Sequence, residues 1–394
     1  MSMLPVLFWS SLIIVCYSYA GYGLLLYMVL RLKRLFRHSN RHAPTLFTPE
    51  VTFLVAAYNE EDFIQEKLLN SLALVYPKNK IHFLFITDGS TDRTNEIILQ
   101  YPQVTLLYEP QRNGKTAAIN RAMALVTTPF VVLSDANTLL NPEAVTLLMQ
   151  PFAMASTGAV AGEKKVMAGQ GAAEAQGEGI YWKYESLLKK WDAELYSVMG
   201  AAGELLAIRT ALYAPLPIDT ILDDFILSFH INMQGYTVMY KPTAYAMETA
   251  SASLQEEYKR KVRISAGGFQ SMGRLLPLLN PFRYPHITWQ YISHRVLRWT
   301  LAPLGLLLAL ICNLLLVIFQ PVLIYYITGT LQLGFYLAAL AGYVMARQEV
   351  KVKYLYIPFY FVFMNVAVYA GCIRHFRKRQ SAVWERSQRS IAIS

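Results

Sequence analysis

Cysteine is nearly missing from this sequence. Cys16, Cys312 and Cys372 are the only three among 394 residues, far apart and all within apolar segments. That pattern excludes a disulfide framework, a zinc site and a paired nucleophile, and leaves three small buried hydrophobes. Charge is scarce as well. Asp, Glu, Lys and Arg make up 16% of the chain and hydrophobic residues 54%, where ordinary soluble domains carry about 25% charged residues. Residues 300–346 hold no charged side chain at all. Two cofactor signatures are also missing. No GxGxxG follows a strand-like run, so a nicotinamide or flavin cofactor has no support. Glu109 stands where a P-loop ending in Asn113-Gly-Lys-Thr needs its first glycine.

Acidic residues are fewer than basic ones, 26 against 36, for a net charge of +10. The excess sits on two flanks. Arg31, Lys33, Arg34, Arg37 and Arg41 follow the first apolar run. Arg374, Arg377, Lys378, Arg379, Arg386 and Arg389, with Glu385 among them, follow the last. A nucleic-acid surface places its cations on a folded domain. Cations beside apolar runs mark the cytosolic ends of membrane segments instead. Membrane lipids are therefore expected partners, and nucleic acid is not. The tail residues Trp384, Arg386 and Arg389 also fit a plain amphipathic anchor.

Residues 4–30 are apolar and their cations come after them, the reverse of a signal peptide. Residues 1–31 thus read as a transmembrane anchor with its amino end outside. A helix over all of 300–346 would be about 70 Å long, so 299–346 is expected to cross twice, turning near Gln320–Pro321 or Thr328–Gly329–Thr330. Residues 271–298 are expected at the interface. Residues 354–373 form one more uncharged run, followed by a basic cytosolic tail, 374–394. If every run crosses, that tail ends outside, against the positive-inside rule, so one run is expected to be re-entrant or interfacial.

Between the anchor and these runs the pattern changes. Val51–Ala57, Ile81–Thr87, Val104–Tyr108 and Phe130–Ser134 are short apolar runs, the mark of strands buried on both faces of a parallel sheet. Amphipathic helical stretches lie near 60–74, 91–100 and 114–126. Repeated units of this kind predict an open, doubly wound α/β domain over 48–270. Beyond 160 the pattern is less regular, with helices expected at Glu174–Glu194 and from Asp223 to Met233 before Gly235.

In open α/β sheets ligands bind beyond the carboxyl ends of the strands. Polar residues collect there: Tyr58-Asn-Glu, Asp88-Gly-Ser-Thr-Asp and Asp135-Ala-Asn. Each is also ordinary loop and helix-cap chemistry; three on one sheet edge favour a site. Taken in order, Ala57-Tyr-Asn-Glu-Glu, Asp88-Gly-Ser-Thr-Asp, Gly114-Lys-Thr-Ala-Ala-Ile-Asn and Ser134-Asp-Ala-Asn-Thr resemble family 2 glycosyltransferases of the GT-A (Rossmann-like) fold. The resemblance runs from about residue 50 to 270. With apolar segments on both sides, the chain is similar to the membrane-bound branch that makes cellulose, chitin, hyaluronan and poly-N-acetylglucosamine.

The resemblance implies roles. Ala57, Tyr58 and Glu60 match the loop that holds the nucleotide. Asp88 matches the aspartate that reads uracil or ribose, and Lys115 the nucleotide-side lysine. Asp135 matches the first aspartate of the metal-binding DxD motif, for Mg²⁺ or Mn²⁺. Asn137 replaces the second, and its amide oxygen can still ligate. Asp223-Asp224 matches the acidic pair in which the second member is the general base, although two carboxylates at a helix start are also what the macrodipole favours. Gly203-Glu204 falls at the acceptor loop. Arg260, Arg263 and Ile264 occupy the place of a QxxRW motif. Arg263 matches its arginine, Arg260 replaces the glutamine and Ile264 the tryptophan.

The expected activity is metal-assisted, inverting transfer from a UDP-sugar to a growing glycan on the cytosolic face of the cell membrane. Single-sugar transfer to a polyprenyl phosphate or another lipid-linked acceptor is the alternative. A transporter subunit or an inactive nucleotide-binding protein is the alternative of another class. With so few crossings, long products would call for a homo-oligomer or an export partner.

Overall fold

The computed structural model describes residues 3–36, 46–167, 174–249, 253–348, 350 and 352–381. It divides into two compact units. One gathers Met1–Phe36, Gln170–Glu185 and Ser253–Arg379; the other gathers Arg37–Gly169, Ser186–Ala252 and Gln380–Ser394. The boundary therefore falls at 252 rather than at 270, because the helix that follows packs with the apolar helices. Arg37, Arg41, Trp384, Glu385, Arg386 and Arg389 lie outside the described residues.

The first unit opens with α1 (Met3–Cys16) and α2 (Tyr22–Phe36), joined by a π-helical turn at Tyr17–Gly21. Arg31, Lys33 and Arg34 sit on the last turns of α2.

The second unit is built on an eight-stranded sheet. In chain order its elements are β1 (Val51–Ala57), α3 (Ile64–Leu72), β2 (Ile81–Asp88), α4 (Thr94–Leu99), β3 (Val104–Glu109), α5 (Lys115–Met123), β4 (Phe130–Asp135), β5 (Leu139–Leu140) and α6 (Ala144–Met149). There follow β6 (Thr157–Met167), α7 (Glu174–Leu195), which begins in the first unit, β7 (Leu205–Arg209), α8 (Asp223–Met233) and β8 (Thr237–Thr249). The strand order is β3-β2-β1-β4-β7-β6-β8-β5. The first four strands are parallel and match the apolar runs to within a residue. Every residue of β1 is buried, as a central strand between helix layers requires.

The other half departs from a doubly wound sheet. β7 runs antiparallel to β4 and to β6, β8 runs parallel to β6, and β5 pairs antiparallel with β8. The fold is thus a mixed α/β sheet whose parallel half carries the βα repeats. The helices expected near 174–194 and 223–233 are both present, and Gly235 at φ +90° ends the second.

The first unit resumes with α9 (Leu254–Arg274), α10 (Pro285–Tyr291), a π-helical turn at Ile292–Val296 and α11 (Leu297–Trp299). Then come α12 (Leu301–Phe319), α13 (Leu323–Arg347) and α14 (Lys353–Phe376). The break between α12 and α13 falls at Gln320–Pro321; Thr328–Gly329–Thr330 lies inside a helix. Four helices, Met3–Phe36, Leu301–Phe319, Leu323–Arg347 and Tyr354–Phe376, are long and apolar enough to cross a membrane. α1 and α12 meet closely at Gly305, where a Cβ would lie 3.2 Å from the Ser11 carbonyl oxygen, a small-residue contact that lets helices pack without a hydrophobic drive between them. Phe8 of α1, Ala309, Cys312 and Leu316 of α12 and Tyr325 of α13 form one core. Glu185 is buried with Arg298, His294 (3.3 Å) and Arg295 (3.5 Å) around it. All three cysteines are free, but only Cys312 is buried; Cys16 is exposed and Cys372 half-buried, because they lie on the outer faces of their apolar helices.

Candidate active site

The loops after β1 and β2 are laced together. Asn59, at φ +52°, accepts from the Thr91 amide at 2.8 Å, and its own amide donates to Ser90 Oγ at 3.1 Å. The Glu60 amide donates to Thr94 Oγ1 (2.9 Å) and the Glu61 amide to Asp92 (3.1 Å). Asp88 is buried and binds the next loop along: it accepts from the Asn113 amide at 3.0 Å, the Gly114 amide at 2.6 Å and the Arg121 guanidinium at 3.3 Å. Gly89, at φ +72°, has no room for a Cβ, which would sit 2.9 Å from the Arg112 nitrogen. The Arg112 guanidinium lies 3.8 Å over the Tyr58 ring. Ala57 is the buried last residue of β1. The expected nucleotide loops therefore form one assembly at one sheet edge.

Lys115 and Asp135 meet at 2.5 Å. Burial works against the Lys115 ammonium, but Asp135, Asp223 and Asp224 outweigh it and hold its pKa well above the usual lysine range. Asn137 Oδ1 is buried and accepts no hydrogen bond. An orphaned acceptor beside Asp135 fits a divalent cation, which needs oxygen ligands and leaves further positions for phosphate and water. Among the described residues no three His, Cys, Asp or Glu side chains converge on one point, so any such ion would depend on the donor's own oxygens.

A lysine that belongs to no motif supports this loop. Lys67 of α3 looks like a surface residue of an amphipathic helix, yet it is fully buried. Its Nζ donates to Ser134 Oγ and to the Thr138 carbonyl, both at 2.8 Å. The Ser134 and Thr138 hydroxyls donate onward to the carbonyls of Glu204 and Asp135. Burial pushes the Lys67 pKa down to about 7, with Asp135 opposing. Because Lys67 grips both sides of Asp135–Asn137, Lys67→Met is expected to raise the metal concentration for half-maximal turnover about 10–100-fold. An unchanged metal titration would count against that role.

Across the cleft, α5 is tied to the segment before α8. Asn120 bonds the Leu216 carbonyl (2.8 Å), the Leu216 amide (3.1 Å) and the Tyr213 hydroxyl (2.6 Å). This brings Asp223 and Asp224, at the first turn of α8, into one cleft with Lys115, Asp135 and Gly203. Asp224 is pushed up to about 7, by burial first and the Asp223 carboxylate next, with Lys115 opposing. A Cβ on Gly203 would lie 3.2 Å from Asp224 Oδ2, so glycine keeps the space before that carboxylate open. Glu204 faces away into a buried cluster, 2.6 Å from Lys164, which also pairs with Glu248. Burial opposes its ionisation, but the Lys164 ammonium holds its pKa down to about 2. Lys164 and Glu248 form a buried charge cluster behind Gly203-Glu204 that the sequence reading missed.

Arg260, Arg263 and Ile264 are not part of this cleft's unit. They lie on α9 in the unit of the apolar helices, where Arg260 grips Glu257 through two bonds of 2.9 Å.

Residues 52–212 match the family described as Glycosyl transferase family 2. The chain is 27% identical over 252 residues to the poly-β-1,6-N-acetyl-D-glucosamine synthase of Staphylococcus aureus, covering 60% of each chain. It is 24% identical over 263 residues to that of Staphylococcus epidermidis, covering 61% of this chain and 63% of the relative. The match thus spans about 60% of these relatives' length. Among solved structures, a mannosyltransferase from Pyrobaculum calidifontis in complex with GDP-Man and Mn²⁺ superposes with a TM-score of 0.72 at 22% identity, over 95% of this chain and 100% of that one. At that identity the likeness establishes the fold: a GT-A sheet together with its helices. Residues 52–212, which carry the strand-end loops, Lys115, Asp135 and Gly203, are thus similar to a domain of glycosyl transferase family 2.

Proposed function

We propose that the chain transfers a sugar from a UDP-sugar to a growing glycan with inversion at the anomeric carbon. The observation that carries this reading is Asp224, a carboxylate with a pKa near 7 facing the gap left by Gly203. A base poised near the working pH is what removal of an acceptor hydroxyl proton needs. The acceptor oxygen attacks the anomeric carbon, its proton passes to Asp224, and the bond to the diphosphate oxygen breaks. Lys115 lies on the diphosphate side and offsets its charge. Asp135 and Asn137 would hold a divalent ion, which supplies further charge stabilisation to the leaving group.

The cations at the end of α2 support a cytosolic placement of the catalytic domain by the positive-inside rule. A lipid-linked acceptor is the second reading. It is favoured by the sequence, which has the aliphatic Ile264 where the resembled QxxRW motif has a flat aromatic tryptophan. Purified protein in lipid, supplied with a panel of UDP- and GDP-sugars, tests these readings. The expected result is release of UDP with a β-linked product, abolished by chelator and restored by Mg²⁺ or Mn²⁺. Turnover with GDP-sugars alone, or undiminished turnover in excess chelator, overturns the donor or the metal assignment.

A further inference from the structure

Helix α14, uncharged from Tyr354 to Ile373, runs side by side with α9 and in the same direction. Tyr258 meets Phe363 with ring centroids 5.7 Å apart, and Phe269 stacks on His375 at 6.3 Å. Between these points a Cβ on Gly371 would lie 2.8 Å from the Ala266 nitrogen and 2.9 Å from the Val262 oxygen, so the backbones touch. The contact covers residues 258–269 of one helix and 363–375 of the other, about 17 Å at 1.5 Å per residue. α9 cannot lie in hydrocarbon. Glu256, Glu257, Lys259, Arg260, Lys261 and Arg263 fall within its first ten residues, and each charge at a bilayer centre is strongly disfavoured.

The other contacts of α14 agree. Its Tyr369 hydroxyl bonds the Pro303 carbonyl at the start of α12, and Tyr19 bonds Asn365 at 2.7 Å. The far end of the bundle is elsewhere: Phe8 meets Tyr325 at the start of α13, beside Leu316 near the end of α12. α13 returns from that end, and its Tyr343 meets Phe359 on the first turns of α14. A crossing α14 would have to finish near Tyr325, whereas it finishes beside Phe269.

We propose that α14 does not cross the membrane but lies with α9 on the leaflet facing the catalytic domain. The pair forms a lipid-contacting platform, and the chain has three crossings. Val366, Ile373 and Phe376 of α14 are exposed in the structure, fall on one side of the helix at 100° per residue, and would face acyl chains. Arg374, Arg377, Lys378 and Arg379, at its end, suit the anionic headgroups of the same leaflet. A tail on the catalytic side also removes the conflict between four apolar helices and the positive-inside rule.

The proposal rests on α12 and α13 crossing, and not on the glycosyl-transfer reading. In a background with Cys16, Cys312 and Cys372 changed to alanine, single cysteines are placed by Ala155→Cys, Gln320→Cys, Tyr354→Cys and Ser381→Cys. Sealed vesicles of both orientations are then treated with a membrane-impermeant maleimide. Positions 155, 354 and 381 are expected to label from one face and 320 from the other. Labelling of 381 from the face of 320 overturns the proposal. Labelling of 320 from the face of 155 overturns the membrane hairpin, and the proposal with it. An epitope tag after Ser394 on the otherwise unaltered chain, read by protease accessibility in sealed vesicles, gives the same decision without substitutions.

Discussion

Asp224→Asn is expected to lower glycosyl transfer by about 10²–10⁴-fold, the range of a lost general base, while nucleotide binding stays nearly unchanged. The amide keeps the side chain's shape against Gly203 and removes only its capacity to take a proton. In the wild type, activity should rise through pH 7 as Asp224 loses its proton. Stability moves the other way. Folding raises this carboxyl from 3.8 to about 7, so between those values the folded protein holds a proton that the unfolded chain has released. That contribution is fully present below about pH 4 and is lost as pH rises through 7. Asparagine has no charge to bury, so the variant should melt a few degrees above the wild type at pH 8 and lose that advantage near pH 4. Activity within tenfold of wild type would remove Asp224 from the mechanism. A melting difference that grows toward acid would show that its carboxylate is not disfavoured by folding.

Asp135→Ala is expected to remove the response to divalent metal and to weaken binding of the UDP-sugar by about a hundredfold or more. Lys115 would lose the carboxylate 2.5 Å away, and Asn137 alone offers one neutral oxygen. Calorimetric titration of UDP with and without Mn²⁺ separates the effects: the wild type should bind more tightly with metal, the variant equally weakly in both. A variant that keeps the metal dependence would move the ion's site elsewhere.

The parallel half of the sheet was legible because three of its four strands, β1, β2 and β4, are buried on both faces and so are written as unbroken apolar runs. Their carboxyl ends were legible for the same reason, as the first polar residues after each run. The other half was not. β8, Thr-Val-Met-Tyr-Lys-Pro-Thr-Ala-Tyr-Ala-Met-Glu-Thr, is half-exposed and mixes polar with apolar residues, and β6 carries Glu163 and Lys164 into the interior. Buried charge that is paired across strands leaves no hydrophobic period to read. Lys67 was hidden likewise, since helix spacing alone does not tell a solvated lysine from one gripping a loop. The crossing pattern could be posed as a parity conflict, but the packing of α14 on α9, nearly a hundred residues away in sequence, is a long-range contact that no local pattern records.

The lacing of Asn59, Asp88 and Asp92 to their neighbouring loops has a consequence for redesign. Residues 88–94 are joined to 58–61 and to 111–114 through side chain to backbone bonds, and Arg112 lies over the Tyr58 ring, so the three loops share their shape. A donor preference transplanted from a related enzyme one loop at a time would leave acceptors without donors at every seam. Grafting the three together preserves the seams, and such a triple exchange is the smallest unit in which this nucleotide edge can be replaced.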